Sequence, residues 1–155
     1  MKTKNSTPEP GDLRERALRL LARREHSRFE LARKLGQAGF AHPEIVALLD
    51  EFEQKNWLSD RRFAESWVAD HRAKAGSVKL AFDLRQRGVS DNIIESVLAD
   101  NRDSELERAR EVWRKKFGSA PADAAEKARQ MRFLLGRGFS SGTIRQTLAS
   151  AGADS

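Results

Sequence analysis

A short pattern occurs three times in this sequence, about fifty residues apart, and it limits the folds that the chain can adopt. In each copy a leucine precedes a glycine by four residues, an aromatic or aliphatic residue follows the glycine, and an isoleucine and a leucine stand six and ten residues beyond it. The copies are Leu35-Gly39-Phe40-Ile45-Leu49, Leu84-Gly88-Val89-Ile94-Leu98 and Leu134-Gly138-Phe139-Ile144-Leu148. A period of this length is typical of helical repeat arrays. We therefore predict three copies of one small unit.

The apolar residues between these glycines have helical spacing. Leu13, Ala17 and Leu20 recur at i, i+4 and i+7, and no stretch alternates as a strand would. The pattern predicts nine helices, near residues 12–24, 27–38, 43–56, 60–75, 77–87, 91–101, 103–117, 121–137 and 140–151. The predicted fold is all-α, an elongated tandem array of three three-helix repeats. The predicted divisions are a flexible N-terminal tail, residues 1–11, and repeats over residues 12–56, 57–101 and 102–155.

Local signals mark where these helices begin and end. The predicted starts are the capping boxes of Ser27 with Glu30 and Ser104 with Glu107, Pro43 in a first turn, and the N-caps Asp60 and Ser90. The glycines predicted to end helices are Gly36, Gly39, Gly76, Gly88, Gly118 and Gly138. Because only glycine adopts a positive φ without a side-chain clash, we expect Gly88→Val to destabilise the fold.

The composition excludes several classes of protein. The absence of cysteine excludes disulfides and a thiolate nucleophile, and the longest apolar run, residues 45–49, is far below the roughly 20 residues that cross a bilayer. The chain lacks a phosphate-binding glycine loop and a serine-nucleophile motif, and His26, His42 and His71 are too far apart in sequence for a helical zinc site. We expect a cytoplasmic protein that is not an enzyme and has no cofactor, no metal and no membrane contact.

The charge favours an acidic partner. Lys and Arg number 29 against 23 Asp and Glu, which gives a net charge of +6, and the excess lies in the first and third units. Arginine predominates, and its planar guanidinium binds phosphate or carboxylate with two hydrogen bonds. Nucleic acid and acidic protein surfaces therefore both remain open as partners, and a helix-surface ion pair is the ordinary alternative for each arginine.

The large aromatic residues are expected mainly in the core. Trp67 and Trp113 lie on the apolar stripes of their helices, and Phe29, Phe63 and Phe117 are interpreted in the same way. Trp57 ends a helix and is placed at the junction between the first and second units.

The second unit contains the most specific motif. Residues 60–68 read Asp-Arg-Arg-Phe-Ala-Glu-Ser-Trp-Val, Arg72 and Gly76 follow, and residues 84–89 read Leu-Arg-Gln-Arg-Gly-Val. Together with residues 17–31 and 133–140, this motif resembles the RecX family of bacterial recombination regulators over residues 13–148. The chain departs from the pattern at Gly136, where Gln37 and Gln86 stand in the other units, and in the spacing of residues 119–125. Residue equivalence in the third unit is therefore open.

The resemblance implies a negative regulator of homologous recombination and the SOS response. Members of this family bind the RecA nucleoprotein filament along its helical groove and suppress ATP hydrolysis, strand exchange and filament extension. The expected partners are the RecA filament and, weakly, single- or double-stranded DNA, and the chain is expected to be a monomer. The candidate contacts to RecA or DNA are Arg61, Arg62, Arg72, Lys79, Arg85, Arg87, Arg23, Arg24, Arg28, Arg132 and Arg137.

The alternative is a plain, non-catalytic, basic helical DNA-binding protein. Two helices joined by a glycine-containing turn are also the outline of a helix-turn-helix motif. Its reading helices would be those near Ile45, Ile94 and Ile144, yet residues 44–50 and 91–100 contain no basic residue. This composition argues against DNA reading by those helices.

Overall fold

The computed structural model describes residues 10–153 and contains nine α-helices and no strand in that range. The helices are α1 (Pro10–Arg23), α2 (Arg28–Gln37), α3 (His42–Gln54), α4 (Asp60–His71), α5 (Ser77–Gln86), α6 (Asp91–Ala99), α7 (Glu105–Lys116), α8 (Ala124–Gly136) and α9 (Ser141–Ala153). A short 3₁₀ turn, Arg102–Ser104, precedes α7. We call α1–α3, α4–α6 and α7–α9 the first, second and third units. The predicted all-α fold of tandem three-helix repeats is confirmed.

Two helix ends differ from the prediction by more than two residues, and one helix begins within the predicted tail. The helix predicted to reach residue 75 ends at His71, and the one predicted from residue 121 begins at Ala124. Helix α1 begins at Pro10, within the predicted tail, because proline suits a first helical turn; the rest of that prediction, residues 1–9, lies outside the described residues.

The predicted helix starts are right in three cases and wrong in two. Ser27 and Glu30 form a capping box, the Ser90 hydroxyl accepts from the Ile93 N–H, and Pro43 lies in the first turn of α3. Asp60 is not the N-cap of α4, because Ser59 occupies that position. Ser104 makes no side-chain cap, because the preceding 3₁₀ turn holds its backbone in a helical conformation.

Four of the six predicted glycine stops are confirmed. Gly39, Gly88, Gly118 and Gly138 have φ values between 73° and 99°. Gly36 instead lies inside α2. Gly76 is the extended N-cap of α5, with φ −84° and ψ 175°. Gly76 therefore begins a helix instead of ending one.

Each unit has its own apolar core. The repeated residues named above line all three cores, and further residues complete them in each unit: Leu31 and Phe52 in the first, Phe63 and Leu80 in the second, and Ala109 in the third. A core of this size stabilises a fifty-residue unit only marginally. Contacts between units must therefore contribute to stability.

The aromatic residues are divided between cores and surface. Trp67 and Trp113 pack against the second and third cores, and Phe63 is buried. Phe29 is 51% exposed, so its core assignment is wrong; it lies against Gly88. Trp57, which follows α3, is 44% exposed and packs on Phe52 of the first unit, while the neighbouring Leu58 is buried.

The start of α2 forms the first joint, by packing on the turn between α5 and α6. The Ser27 hydroxyl donates to the Arg87 carbonyl at 2.7 Å. The Arg28 N–H donates to the Asp60 carboxylate at 2.8 Å. Phe29 approaches Gly88 so closely that a β-carbon there would lie 2.4 Å from the Phe29 Cβ. The first joint therefore combines side-chain hydrogen bonds with a glycine contact.

The start of α5 forms the second joint, by packing on the turn between α8 and α9. The Gly76 N–H donates to the Arg137 carbonyl at 2.9 Å, and the Val78 N–H donates to the Gly138 carbonyl at 3.0 Å. A β-carbon on Gly76 would lie 2.5 Å from three atoms of the Gly138 and Phe139 backbone. The second joint is therefore a direct contact of two backbones.

Candidate partner-binding surface

The candidate arginines of the second unit are engaged within the molecule. Arg61 pairs with Glu65 at 2.9 Å and donates to the Ser96 hydroxyl at 2.8 Å. Arg85 pairs with Asp91 at 2.8 Å. The other contacts are Arg62 to Glu25 at 3.0 Å, Arg72 to Asn101 at 3.1 Å, Lys79 to Asp83 at 3.7 Å and Arg87 to the Asp83 carbonyl at 2.9 Å. A partner that binds these cations must compete with these contacts.

Arg87 is the most constrained of these residues. Its guanidinium carbon lies 3.8 Å from the centre of the Trp67 ring, and the His71 ring stacks on the same indole at 3.9 Å. A guanidinium close to an indole ring is a favourable cation–π arrangement. Because Arg87 also accepts the Ser27 hydrogen bond through its carbonyl, it supports the first joint.

The first-unit candidates are of two kinds. Arg24 forms a two-pronged contact with the Glu30 carboxylate, at 3.2 Å from each oxygen, and Arg28 pairs with Asp50 and Glu53 at 2.8 and 2.9 Å. Burial is the largest influence and would raise the pKa of Glu30, but the hydrogen bonds from Arg24 and the Ser27 N–H, together with the Arg24 charge, lower the pKa overall. Arg23 makes no salt bridge or side-chain hydrogen bond with any residue in the range 10–153.

The two third-unit candidates also differ. Arg137 donates to the Lys74 carbonyl at 3.4 Å and lies 5.2 Å from the Phe133 ring centre. Arg132 has no ion-pair or hydrogen-bond partner for its side chain in the part of the chain that the structure describes. Arg23 and Arg132 are therefore the candidates that can bind a partner without breaking an existing contact.

Six further cations share this property. None of them has a side-chain hydrogen bond, salt bridge or cation–π contact with a described residue. They are Arg16 and Arg33 in the first unit, Lys74 in the second, Arg102 in the 3₁₀ turn before α7, and Lys127 and Arg145 in the third unit. The predicted contacts to RecA or DNA do not include them. The sequence does contain a signal for Arg145: like Arg23 and Arg132, it has no carboxylate three or four residues away in either direction, so it cannot form an ion pair within its own helix.

His26 is the one buried histidine among the described residues, at 1% exposure. Its Nδ1 lies 3.1 Å from the Arg24 carbonyl and its Nε2 lies 2.8 Å from the Lys34 ammonium. Burial lowers the pKa of His26, and the Arg24 and Lys34 charges lower it further. The ring is therefore neutral, donating from Nδ1 and accepting at Nε2.

No group of three or more His, Asp or Glu side chains in the described part of the chain is arranged to hold a metal ion. None of the helices that the structure describes has the length and apolarity needed to cross a membrane.

Comparisons with known proteins match all three units. The sequence profiles of the first, second and third three-helix domains of RecX match residues 14–52, 59–98 and 103–148. The protein named "Regulatory protein RecX" from Chromobacterium violaceum is 50% identical over 146 residues, which cover 94% of each chain. The protein of the same name from Ralstonia nicotianae is 43% identical over 145 residues, which cover 94% of this chain and 91% of the relative.

A solved structure has the same fold. The crystal structure of RecX from Lactobacillus salivarius superposes with a TM-score of 0.81 at 20% identity, over 93% of this chain and 97% of that one. Three domain matches in chain order, with relatives that cover nearly the whole sequence, show that this chain belongs to the RecX family of regulatory proteins.

Proposed function

We propose that this chain is a negative regulator of homologous recombination and the SOS response. It binds the RecA nucleoprotein filament and inhibits ATP hydrolysis, strand exchange and filament extension. The observation that carries the proposal is the match of three RecX domains in tandem across nearly the whole chain. The mode of action is binding without covalent chemistry or a cofactor, by a cytoplasmic monomer.

The repeat architecture supports binding to a polymer. A filament presents the same surface at regular intervals, and three similar units joined by two related joints can engage several of those surfaces at once. Once one unit is bound, the others act at a high effective concentration, so weak contacts add up to a strong one. Unpaired cations in all three units provide such contacts.

The candidate cations divide into two roles in this proposal. Arg23 and Arg132 contact acidic RecA surface or filament-bound DNA, because they are free to do so. The paired arginines, such as Arg62 and Arg85, stabilise the fold through ion pairs within the chain. They contribute to binding only where a carboxylate or phosphate of the partner replaces the carboxylate with which they pair in the free chain. Weak binding to naked DNA follows from the same unpaired charges.

The direct test is RecA ATP hydrolysis on single-stranded DNA, with this chain titrated from substoichiometric to equimolar ratios. Binding to naked DNA is measured in the same buffer. The proposal predicts inhibition at ratios too low to coat the DNA. No inhibition, or inhibition only when the chain saturates the DNA, would contradict it and leave the alternative of a basic DNA-binding protein.

A matched pair of variants tests the division of the cations. Arg132→Gln and Arg85→Gln each remove one positive charge, but only Arg85 is ion-paired in the free chain. We expect Arg132→Gln to weaken the inhibition of RecA by several-fold and Arg85→Gln to weaken it less. Equal effects would show that pairing within the chain does not select the contacts.

The DNA-reading alternative gains no support from the third helix of each unit. Helices α3 and α6 contain no lysine or arginine, and α9 contains Arg145 alone. A major-groove reader would need donors to base edges and phosphates along such a helix.

A further inference from the structure

A groove runs along the third unit between α8 and α9. It contains two adjoining depressions of about 540 and 300 Å³, which share Met131 and Ile144. Its floor includes Ile144 and Leu148, which belong to the core, and its wall is Met131 and Leu135, which are 39% and 61% exposed. Aliphatic side chains of this size in a concave surface favour burial against a partner.

The same groove occurs between α5 and α6 in the second unit, with a volume of about 590 Å³. Every residue that lines it has a counterpart fifty positions later that lines the groove of the third unit. The groove is therefore a property of the repeat, and the two copies can be compared position by position.

The two grooves differ in chemistry. Ala81 and Arg85 of the second unit are replaced by Met131 and Leu135 in the third. In the second unit a 2.8 Å salt bridge from Arg85 to Asp91 joins α5 to α6 across the groove. Leu135 and Ser141 stand at those positions in the third unit. No salt bridge joins α8 to α9 in the range 10–153, so the third groove is unbridged and more apolar.

The charge on the third groove has one sign. Lys127, Arg132 and Arg145 stand along it, and none of the three has an ion-pair partner among the described residues. No carboxylate of the described residues lines this groove, whereas Asp91 and Glu95 line the groove of the second unit. A row of unpaired cations beside aliphatic side chains complements a segment that carries both carboxylates and large apolar groups.

We propose that the groove between α8 and α9 binds an acidic amphipathic helix of a protein partner. Apolar side chains of that helix, spaced i, i+4 and i+7, pack on Met131, Leu135 and Ile144. Its carboxylates, on either side of the apolar stripe, pair with Lys127, Arg132 and Arg145. About three helical turns match the length of α9. This inference goes beyond the proposed function, because it does not depend on whether the partner is RecA.

Nucleic acid is the less suitable occupant. Unpaired bases bind mainly by stacking on aromatic side chains, and the residues that line this groove are aliphatic, small or charged. Leu135 and Met131 can bury an apolar side chain but cannot stack a base.

The test uses the full chain and a synthetic probe, without RecA. The probe is a fluorescein-labelled 15-residue helical peptide with leucines at i, i+4, i+7 and i+11 and glutamates beside them. Fluorescence anisotropy gives its affinity, together with those of two matched peptides that have lysine for glutamate or serine for leucine. We expect the acidic amphipathic peptide to bind at least ten-fold more tightly than either. Equal binding of the lysine or serine peptide would overturn the proposal.

A graft between the units locates the site. The double variant Leu135→Arg with Ser141→Asp introduces the bridging pair of the second unit without changing net charge, and we expect it to weaken peptide binding at least ten-fold. The control Phe82→Ser alters an exposed apolar residue of the second unit and leaves the affinity within two-fold. An unchanged affinity in the graft would overturn the proposal.

Two further measurements keep the result interpretable. If thermal unfolding shows that the graft is misfolded, the double variant Arg132→Gln with Arg145→Gln is used in the peptide-binding measurement in its place. We expect that variant to weaken peptide binding at least five-fold. A single-stranded oligonucleotide is tested as a competitor; displacement of the peptide by stoichiometric amounts of it would overturn the proposal in favour of a nucleic-acid site. A chain that binds the peptide but leaves RecA unaffected would refute the proposed function and retain this inference.

Discussion

The first and second joints both pack on the glycine turn of the next unit, but they make different contacts with it. In both, the start of a unit's second helix contacts the carbonyl that precedes the turn glycine of the next unit, Arg87 in one case and Arg137 in the other. The first joint uses the hydroxyl of Ser27, whereas the second uses the backbone N–H of Gly76. A side chain separates the backbones in the first joint, and its absence lets them touch in the second. A repeated turn can therefore accept different partners, provided that the turn itself keeps its glycine.

The largest expected effect is at the N-cap of α5. In Gly76→Ser the new Cβ would lie 2.5 Å from backbone atoms of Gly138 and Phe139, which cannot move aside as a side chain can. We expect a loss of about 3 kcal/mol in the free energy of unfolding, measured by urea denaturation. The control Gly36→Ser adds the same side chain where nothing lies within 4 Å, and it should cause no loss. Similar stabilities of the two variants would contradict the backbone contact.

The turn glycine of the first joint gives the next effect. Gly88 has φ 78°, and an added Cβ would lie 2.4 Å from the Phe29 Cβ, so Gly88→Val should cost about 1–3 kcal/mol. Gly136→Val, at a site with open space around it, is the control and should cost less. Thermal unfolding measures both, and an unchanged Tm for Gly88→Val would contradict the turn assignment.

A smaller loss of stability distinguishes the removal of a helix cap from the removal of a hydrogen bond between units. Ser27→Ala removes both the helix cap and the hydrogen bond to Arg87, and we expect a loss of about 1–2 kcal/mol. Ser90→Ala removes a cap alone, because Ser90 caps α6 within its own unit. The free energy of unfolding should therefore fall further for Ser27→Ala. The reverse order would mean that the Ser27–Arg87 bond contributes nothing to the first joint.

The smallest effect is a pH dependence confined to the first joint. His26 precedes Ser27, whereas Ala75 holds the corresponding position before Gly76. Burial lowers the pKa of His26 in the folded chain. As the pH falls, the unfolded chain therefore takes up this proton at a higher pH than the folded chain does. The stability present above about pH 6.5 is lost as the pH falls from there to the lowered pKa of the folded state. Between pH 7 and pH 6 this loss is at most about 0.7 kcal/mol.

Stability measured at both pH values checks this prediction. The variant His26→Gln keeps a neutral hydrogen-bonding side chain and should lose most of the pH dependence in that window. Glu30, beside His26, has a lowered pKa and titrates at lower pH. An identical pH slope in His26→Gln and the unchanged chain would rule out His26 as its source.

The sequence predicts the units well because the repeated positions have local causes. A leucine, a turn glycine and two aliphatic residues at fixed offsets are sufficient for one small core, and Gly39, Gly88 and Gly138 all have the positive φ that this turn needs. The joints are less predictable, because they depend on contacts between residues sixty positions apart, such as Ser27 with Arg87. The predictions for Gly76 and Phe29 are wrong for this reason: contacts with a neighbouring unit, not with neighbouring residues, determine their environments.

The candidate surface was predictable in kind but not in detail. The excess of arginine indicated an acidic partner, yet charge alone could not distinguish Arg62, which pairs with Glu25 across the first joint, from the unpaired Arg132. Helical i, i+4 spacing identifies ion pairs within one helix, so it does not predict an ion pair between two units. The sequence does not reveal the groove of the third unit, because its aliphatic lining resembles an ordinary core face until α8 and α9 are placed side by side.

Co-sedimentation distinguishes binding to the RecA filament from binding to its DNA alone. The chain is mixed with RecA filaments on single-stranded DNA, or with the same DNA alone, at about 0.15 M salt, and the pelleted amount is measured. We predict that the chain pellets with the filament in a saturable ratio to RecA, at concentrations where bare DNA carries little of it. Equal recovery with bare DNA, or none with the filament, would contradict the proposed recognition of RecA.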